Sequence, residues 1–511
     1  MKIPQLRKKP EYKTCHNITW EDDFSWVHQK NILEVLKDPS KLDTEVKKYL
    51  EEENAYAEFH LKNTKEIQKK LFDEIKGRIK LEDESIPFKD KKYYYWTKTT
   101  KEGNYSKKLR KKIGTEIIEE IWDGDKEKEK LNTEYFGLGD LEVSNNDELL
   151  GYSLDLKGSE YYTIYLRNIK SNKLVSEKID NTSGSILFSL DDKYIFYSKL
   201  DKFHRPRTIF RHEVGTSIKQ DLLIFEETSD AFTVSIGISS DEKYYFIKTS
   251  DHNTSEEYYF KSDETKPNPK IIKKRKKGIL YSVNSFNNYF WNHTNDKAED
   301  FRIEKCQNLE NQKWEDFVSA KNEVLVGGLF FLDNWILRSE TSNALTKLLV
   351  RKKDNTHEEE IKFTDEIVIE PGISFTQKDR NTNEVYISYS SPKTQTRVYL
   401  YNLLTKDKKL VKEQEIPSGH NPDDYVVERL ECKSHDGRMV PLTITRHKKT
   451  KIDGNANLLL YGYGSYGNSM SPGFSSTRLS LINRNIIWVT AHIRGGMERG
   501  MKWWKEGKLL N

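Results

Sequence analysis

Hydrophobic positions change period twice along the chain. From about Asp43 to Lys80, Val46, Tyr49 and Leu50, then Ile67, Leu71 and Ile75, recur at three- and four-residue spacing with Glu and Lys between them. That pattern predicts an amphipathic helix with Asp43 as its N-cap. One such helix has no partner for its apolar stripe, so the stripe is expected to be buried against another part of the protein. From Lys91 the period drops to two and the residues become β-formers, as in Tyr93-Tyr-Tyr-Trp96, Tyr161-Tyr-Thr-Ile-Tyr165, Tyr194-Ile-Phe-Tyr197, Tyr244-Tyr-Phe-Ile247, Tyr289-Phe-Trp291, Val385-Tyr-Ile387 and Val398-Tyr-Leu-Tyr401. Asp, Asn, Ser and Gly separate these runs, which read as short strands joined by turns.

The strands repeat. Ser144-Asn-Asn-Asp147, Ser189-Leu-Asp-Asp192 and Ser239-Ser-Asp-Glu242 each feed a strand, and their serines lie 45 and 50 residues apart. A period in this range marks four-stranded propeller blades, and the stretch 80–416 has room for ~7 of them. An irregular β-sandwich with similar turns is the competing arrangement. After Pro417 the pattern shifts again. Tyr425 to Cys432 and Met439 to Thr445 flank an Asp436-Gly437 turn as an antiparallel pair. Leu458 to Leu460 and Ile486 to Val489 are continuous apolar runs separated by Ser475 to Arg484, which carries Leu479 and Ile482 at helical spacing. Strand, helix, strand opens an α/β sheet.

The chain has 511 residues, too many for one ordinary core, which favours several domains. Its 85 Lys and Arg against 81 Asp and Glu leave a net charge of +4 with both signs interspersed, which argues against a dedicated nucleic-acid binder. The densest basic run, Lys273-Lys-Arg-Lys-Lys277, reads as a solvated hairpin tip. Cys15, Cys306 and Cys432 are too few and too scattered for a disulfide framework, and neither a paired-Cys nor a His-Glu-x-x-His metal motif occurs. The N-terminus lacks the apolar core of a secretory signal, and the longest apolar run, Val324 to Leu332, is too short to cross a bilayer. The expectation is a cytoplasmic protein with no cofactor, no metal, no nucleic-acid partner and no membrane association.

The tracts Leu459-Leu-Tyr-Gly-Tyr-Gly-Ser-Tyr-Gly467, Arg478-Leu-Ser-Leu481 and Ala491-His-Ile-Arg-Gly-Gly496, followed by Glu498 and Gly500, resemble the prolyl oligopeptidase family of serine peptidases. Asp23-Phe24-x-Trp26 and the stretch from His204-Arg-Pro to Gly215-Thr216 add to the likeness, which runs from about residue 4 to the end and leans toward the oligopeptidase B (protease II) branch. The resemblance implies an N-terminal helical segment (1–79) packed on the hydrolase unit, a seven-bladed β-propeller (80–416), and the first part of an α/β-hydrolase domain (417–511). It also implies an endopeptidase of short peptides that cuts after Lys or Arg.

Within that resemblance Tyr463 matches the oxyanion-hole tyrosine and Tyr466 an aromatic near the substrate pocket. For both, an aromatic packed beneath a sheet is the alternative. Two departures stand out: Trp26-Val-His28 replaces Trp-Leu-Arg, and Met497 occupies the place of a third glycine, where a side chain restricts a loop that needs positive φ. The larger departure concerns the nucleophile. No serine among the 511 residues has Gly at both −2 and +2, and Ser465, the nearest, has Tyr463 before it. His492 ends a strand ahead of any elbow and reads as a structural or surface residue. The triad Ser, Asp and His would then lie beyond Asn511, leaving a chain inactive by itself and its partner a separate chain carrying the rest of the hydrolase unit. The alternatives are a non-catalytic propeller that binds peptides or a partner chain, and a degraded gene remnant.

Overall fold

The computed structural model describes residues 1–354 and 357–510. An isolated hairpin, Glu11–Cys15 with Ile18–Asp22, precedes the helices. Asp43 caps the first long helix, Thr44–Leu61, accepting from the N–H groups of Glu45 (2.8 Å) and Val46 (3.1 Å). The one helix expected to Lys80 is two, because a 3₁₀ turn at Lys62–Thr64 interrupts it before Lys65–Gly77. Thr64 donates its hydroxyl to the Leu61 carbonyl (2.6 Å), the kind of local bond with which Thr competes against continued helix. The expected burial of the stripe is corrected too. Val46 is buried, but Leu50 and Ile67 stay 48% and 43% exposed; the helices are held at their ends, by Glu45 to Arg7 and Lys9 at one and by Glu74 and Arg78 at the other.

Between residues 88 and 413 the strands form antiparallel sheets, here lettered A (88–123), B (137–226), C (233–273), D (281–318), E (325–360) and F (370–413). Sheet B has eight strands and each of the others four. The three repeated turns share one geometry. The serine Oγ accepts from the N–H five residues on: Ser144 from Leu149 (2.9 Å), Ser189 from Tyr194 (3.0 Å) and Ser239 from Tyr244 (3.0 Å). The fourth residue of each, Asp147, Asp192 or Glu242, has positive φ. The turns also bond to one another, with both Asp192 carboxylate oxygens accepting from the N–H groups of Asn145 (2.6 Å) and Asn146 (2.7 Å).

Consecutive sheets press apolar faces together. Trp122 of A packs with Leu150 and Tyr152 of B, Phe196 and Ile209 of B with Tyr245 and Ile247 of C, and Phe246 of C with Val283 and Phe290 of D. Trp291 and Ile303 of D pack with Phe331 and Ile336 of E, and Leu337 and Leu348 of E with Val385 and Ile387 of F. Sheets A and F meet differently, through Lys378 N–H to the Lys89 carbonyl (2.9 Å) and a Lys412–Asp83 ion pair (2.8 Å).

The basic run is not a hairpin tip but the link from sheet C to sheet D; Lys274, Lys276 and Lys277 are exposed, and Arg275, half-buried, pairs with Glu227 (2.6 Å) and Glu256 (2.9 Å) and stands over the Phe232 ring at 4.0 Å. Both carboxylates are buried and need a counter-charge there.

A mixed sheet G follows, with strands ordered Tyr425–Lys433, Met439–His447, Ile487–Ala491, Leu458–Tyr461, and the short helix Met501–Lys505 comes after it. The last two are parallel and the others antiparallel, and the helix Leu479–Ile482 lies in the connection between the parallel pair. Gly437 takes positive φ (87°) at the expected Asp-Gly turn.

Candidate functional site

The strand Leu458–Tyr461 runs directly into the loop that carries Tyr463 and Tyr466. Two glycine-rich segments cross there. Gly467 N–H donates to the Gly495 carbonyl (2.8 Å), and Gly467 bridges to Gly496. Gly495 has φ 96° and stands so close to the Gly464 carbonyl that no Cβ fits, while a Cβ on Gly464 would collide with the Arg494 carbonyl. The glycines therefore let two backbones touch, which fixes the loop against the 493–496 turn.

The crossing turns both tyrosines outward. Tyr463 is 46% and Tyr466 66% exposed, so neither is an aromatic packed beneath a sheet. Tyr466 itself has positive φ (55°), and its ring lies 5.7 Å from that of His252, on the turn between the second and third strands of sheet C. Met497 does not share the positive φ expected at its position; its methyl packs against Gly467 instead.

Beneath the crossing lies a buried polar cluster. His492, fully buried, shares a 2.8 Å hydrogen bond with Thr443 Oγ1, which also accepts from Arg429 (2.9 Å). Burial and, after it, the Arg429 charge push the imidazole down to about 4, so the ring is neutral at neutral pH. Glu498, also buried, accepts from Met470 N–H (2.8 Å) with its carboxylate, and its backbone carbonyl accepts from Ala344 N–H (2.8 Å) in sheet E. Burial raises its carboxyl above the ordinary range. His492 and Glu498 thus lie buried beneath the loop.

The face of sheets C to F that meets this segment presents further anchors. Asp300 accepts from Met501 N–H (2.7 Å), Glu323 pairs with Arg499 (3.2 Å), and Ser390 Oγ accepts from Phe474 N–H (3.2 Å). A cavity of about 710 Å³ opens along the seam, lined by Asn343, Asp365, Ile367, Lys393, Val427 and Arg429. These contacts thus join residues as far as 201 positions apart. His252 and Arg429 carried no signal in the sequence, because neither belongs to a local motif. Among the described residues no helix is long and apolar enough to cross a membrane.

A family model described as the prolyl oligopeptidase N-terminal β-propeller domain matches residues 4–414. Dipeptidyl aminopeptidase BI of Pseudoxanthomonas mexicana is 30% identical over 533 residues, covering 99% of this chain and 71% of that protein. Protease 2 of Moraxella lacunata is 27% identical, covering 100% of this chain and 73% of its own length. Among solved structures, oligopeptidase B from Leishmania major superposes with a TM-score of 0.91 at 22% identity, over 99% of this chain and 73% of that one. That last likeness concerns the fold.

Proposed function

Because the chain belongs to the prolyl oligopeptidase family, we propose that it forms the propeller and the opening strands of the hydrolase unit of an oligopeptidase B-like serine endopeptidase acting on short peptides after Lys or Arg. The observation that carries this reading is the loop 462–467, clasped at Gly464 and Gly495 so that the Tyr463 side chain stands free of the core. A phenol held on a pinned loop suits a hydrogen-bond donor to a developing oxyanion, a contribution of about 3 to 4 kcal/mol to the transition state. Tyr466, beside His252, is the candidate contact for the bound peptide.

Seven blades follow if sheet B counts as two. A single register pair, Thr182 with Lys199, joins the strands Ile179–Thr182 and Tyr194–Leu200, and Leu187–Phe188 pairs with the latter as the first strand of a new unit. The units then run in a ring from A to F across 80–416. Sheet G and its helix, within 417–511, are the start of the α/β hydrolase, and the segment 1–79 packs on it through Glu74 and Arg78. The unpaired thiols of Cys15, Cys306 and Cys432 suit a reducing cytoplasm.

These 511 residues hold no Gly-x-Ser-x-Gly elbow. Removing the nucleophile of a serine hydrolase costs about a millionfold in turnover, so a polypeptide of these residues hydrolyses nothing unaided. Its partner is then a segment that supplies the elbow and pairs with the exposed edge of Leu458–Tyr461. A fluorogenic Arg-Arg substrate should remain intact with the purified 511-residue chain, and cleavage appears on co-expression with an α/β segment carrying the elbow. Phosphonate-sensitive cleavage by the 511-residue chain by itself would overturn the reading.

A further inference from the structure

We propose that the cavity along the seam of sheets E, F and G is a second peptide site, taking a short peptide with both ends free as a zwitterion and holding it without cutting it. Two charged residues of each sign line the cavity. Arg429 stands on the first strand of sheet G, Lys393 on the turn between the second and third strands of sheet F, and Asp365 and Glu366 on the link from E to F. Among the described residues none of the four joins an ion pair. Elsewhere the fold pairs its half-buried and buried cations, as Arg275 with Glu227 and Arg338 with Glu340 (2.7 Å). Opposite charges that line one cavity without meeting leave the space between them to a molecule that carries both.

Arg429 is held in place for this. Its Nη2 donates to the Asn343 carbonyl (2.6 Å) in sheet E and its Nη1 to Thr443 Oγ1 (2.9 Å). Those bonds use two of the five N–H groups of a guanidinium, and none of the rest meets a carboxylate. Burial brings its pKa below the ordinary arginine value, against a smaller opposing effect of Glu431, as for a desolvated cation short of an anion. Asn343 lines the same cavity, and its Oδ1 is buried with no hydrogen-bond partner. A peptide N–H would satisfy it. The ligand's carboxylate then belongs to Arg429 and Lys393, its ammonium to Asp365 and Glu366, and an aliphatic side chain to Val427 and to Ile367, which is 76% exposed at the rim. A volume of about 710 Å³ is in the range of small-ligand sites.

This site is separate from the loop 462–467. Tyr425–Lys433 is the edge of sheet G opposite Leu458–Tyr461, three strand spacings or about 14 Å across the sheet. The elbow-bearing segment of the function proposed above pairs at Leu458–Tyr461, on the far edge. Short peptides are also what that function releases, so the seam takes its product class; the site itself stands whether or not that function holds. A bound peptide touches sheets E and F on one side and sheet G on the other, and so fastens the seam.

Titration calorimetry of the full 511-residue chain with the dipeptide Ala-Leu tests this. One saturable site is expected. Replacing the dipeptide by its C-terminal amide, or Arg429 by Gln, should each weaken binding at least about tenfold, the usual loss for a hydrogen bond to a charged group. N-acetylation of the dipeptide and Asp365→Asn should each weaken it about threefold, as for an exposed ion pair. Arg429→Gln also alters the bonds to Asn343 and Thr443, so Lys393→Gln is the second probe; it should keep the thermal midpoint and weaken Ala-Leu about threefold. No binding, or an affinity indifferent to Arg429, Lys393 and the peptide's carboxylate, overturns the site. Binding lost in Tyr466→Ala but kept in Arg429→Gln and Lys393→Gln places the dipeptide in the catalytic cleft, which overturns the site and leaves the proposed function standing. Binding that depends on Arg429, in a chain whose assembly with the elbow-bearing segment cleaves nothing, keeps the site and removes that function.

Discussion

Arg484 grips Glu74 with both terminal guanidinium nitrogens, at 2.6 and 2.9 Å, across 410 positions of sequence. The next turn of the helix adds a second tie, Arg78 to Ser480 Oγ at 2.5 Å. An amino-terminal helix is thereby fastened to the helix between the parallel strands of sheet G.

Acid should loosen that joint. The Arg484 hydrogen bonds hold the Glu74 carboxyl at about 2, against an ordinary 4.5. A depressed folded value stabilises above the ordinary one and loses its effect as pH falls through the folded one. Protection factors for amide exchange in residues 65–77, taken relative to the intrinsic rate at each pH, should fall as pH is lowered from about 4.5 toward 2, and Glu74→Gln should lower them already at neutral pH and flatten the response.

His492 gives a second acid-dependent signature, at higher pH. Its folded value of about 4 lies below the ordinary 6.5, so the unfolded chain binds more protons between them and stability falls as pH drops through that interval. The contribution is on the order of 3 kcal/mol. Urea midpoints for His492→Gln should show a shallower slope across that interval than the parent.

Arg275→Ala strips the counter-charge from two buried carboxylates. A loss on the order of 3 kcal/mol is expected, moderated by the partial exposure of the guanidinium. Restoring neutrality with Glu227→Gln and Glu256→Gln in the same chain should recover a substantial part of it. Guanidinium denaturation of the three variants decides.

Gly495→Ala forces a methyl into the Gly464 carbonyl at φ 96°. A cost of about 2 kcal/mol or more is expected, with Tyr463 displaced. Met497, lacking positive φ, should tolerate Gly within about 1 kcal/mol, and thermal melts of the two variants separate the cases.

In the assembly with the elbow-bearing segment, Tyr463→Phe should lower kcat by about 10² to 10³ while leaving KM nearly unchanged. An equal loss in KM would place the hydroxyl in ground-state binding instead.

Much of this was legible from residue order. Period-two aromatic runs located strands such as Tyr244–Ser250, and the repeated turn of Ser and, three residues on, Asp or Glu foretold turns whose hydrogen bonds coincide. Asp43 announced its cap. What escaped depended on distance: Leu50 and Ile67 fit an amphipathic face equally well whether or not anything covers it, and Arg275 in a run of lysines has the composition of a surface tip until Glu227 arrives from 48 positions away. At the candidate site, the glycines were visible as motif, but their reason, a backbone crossing, needed both segments together. His252 and Lys378 act across sheets, where no local pattern reports them.

The junction between sheets A and F differs in kind from the others. Among the described residues no cluster of buried apolar side chains joins those two sheets, and ion pairs such as Lys412–Asp83 and Lys80–Glu415 lie along it. Added sulfate weakens such charged contacts by screening and strengthens apolar burial by exclusion from the surface. Ionic strength therefore pulls these sheets in two directions at once: their greasy joints tighten while the contact between sheets A and F slackens, so the assembly would come undone there first.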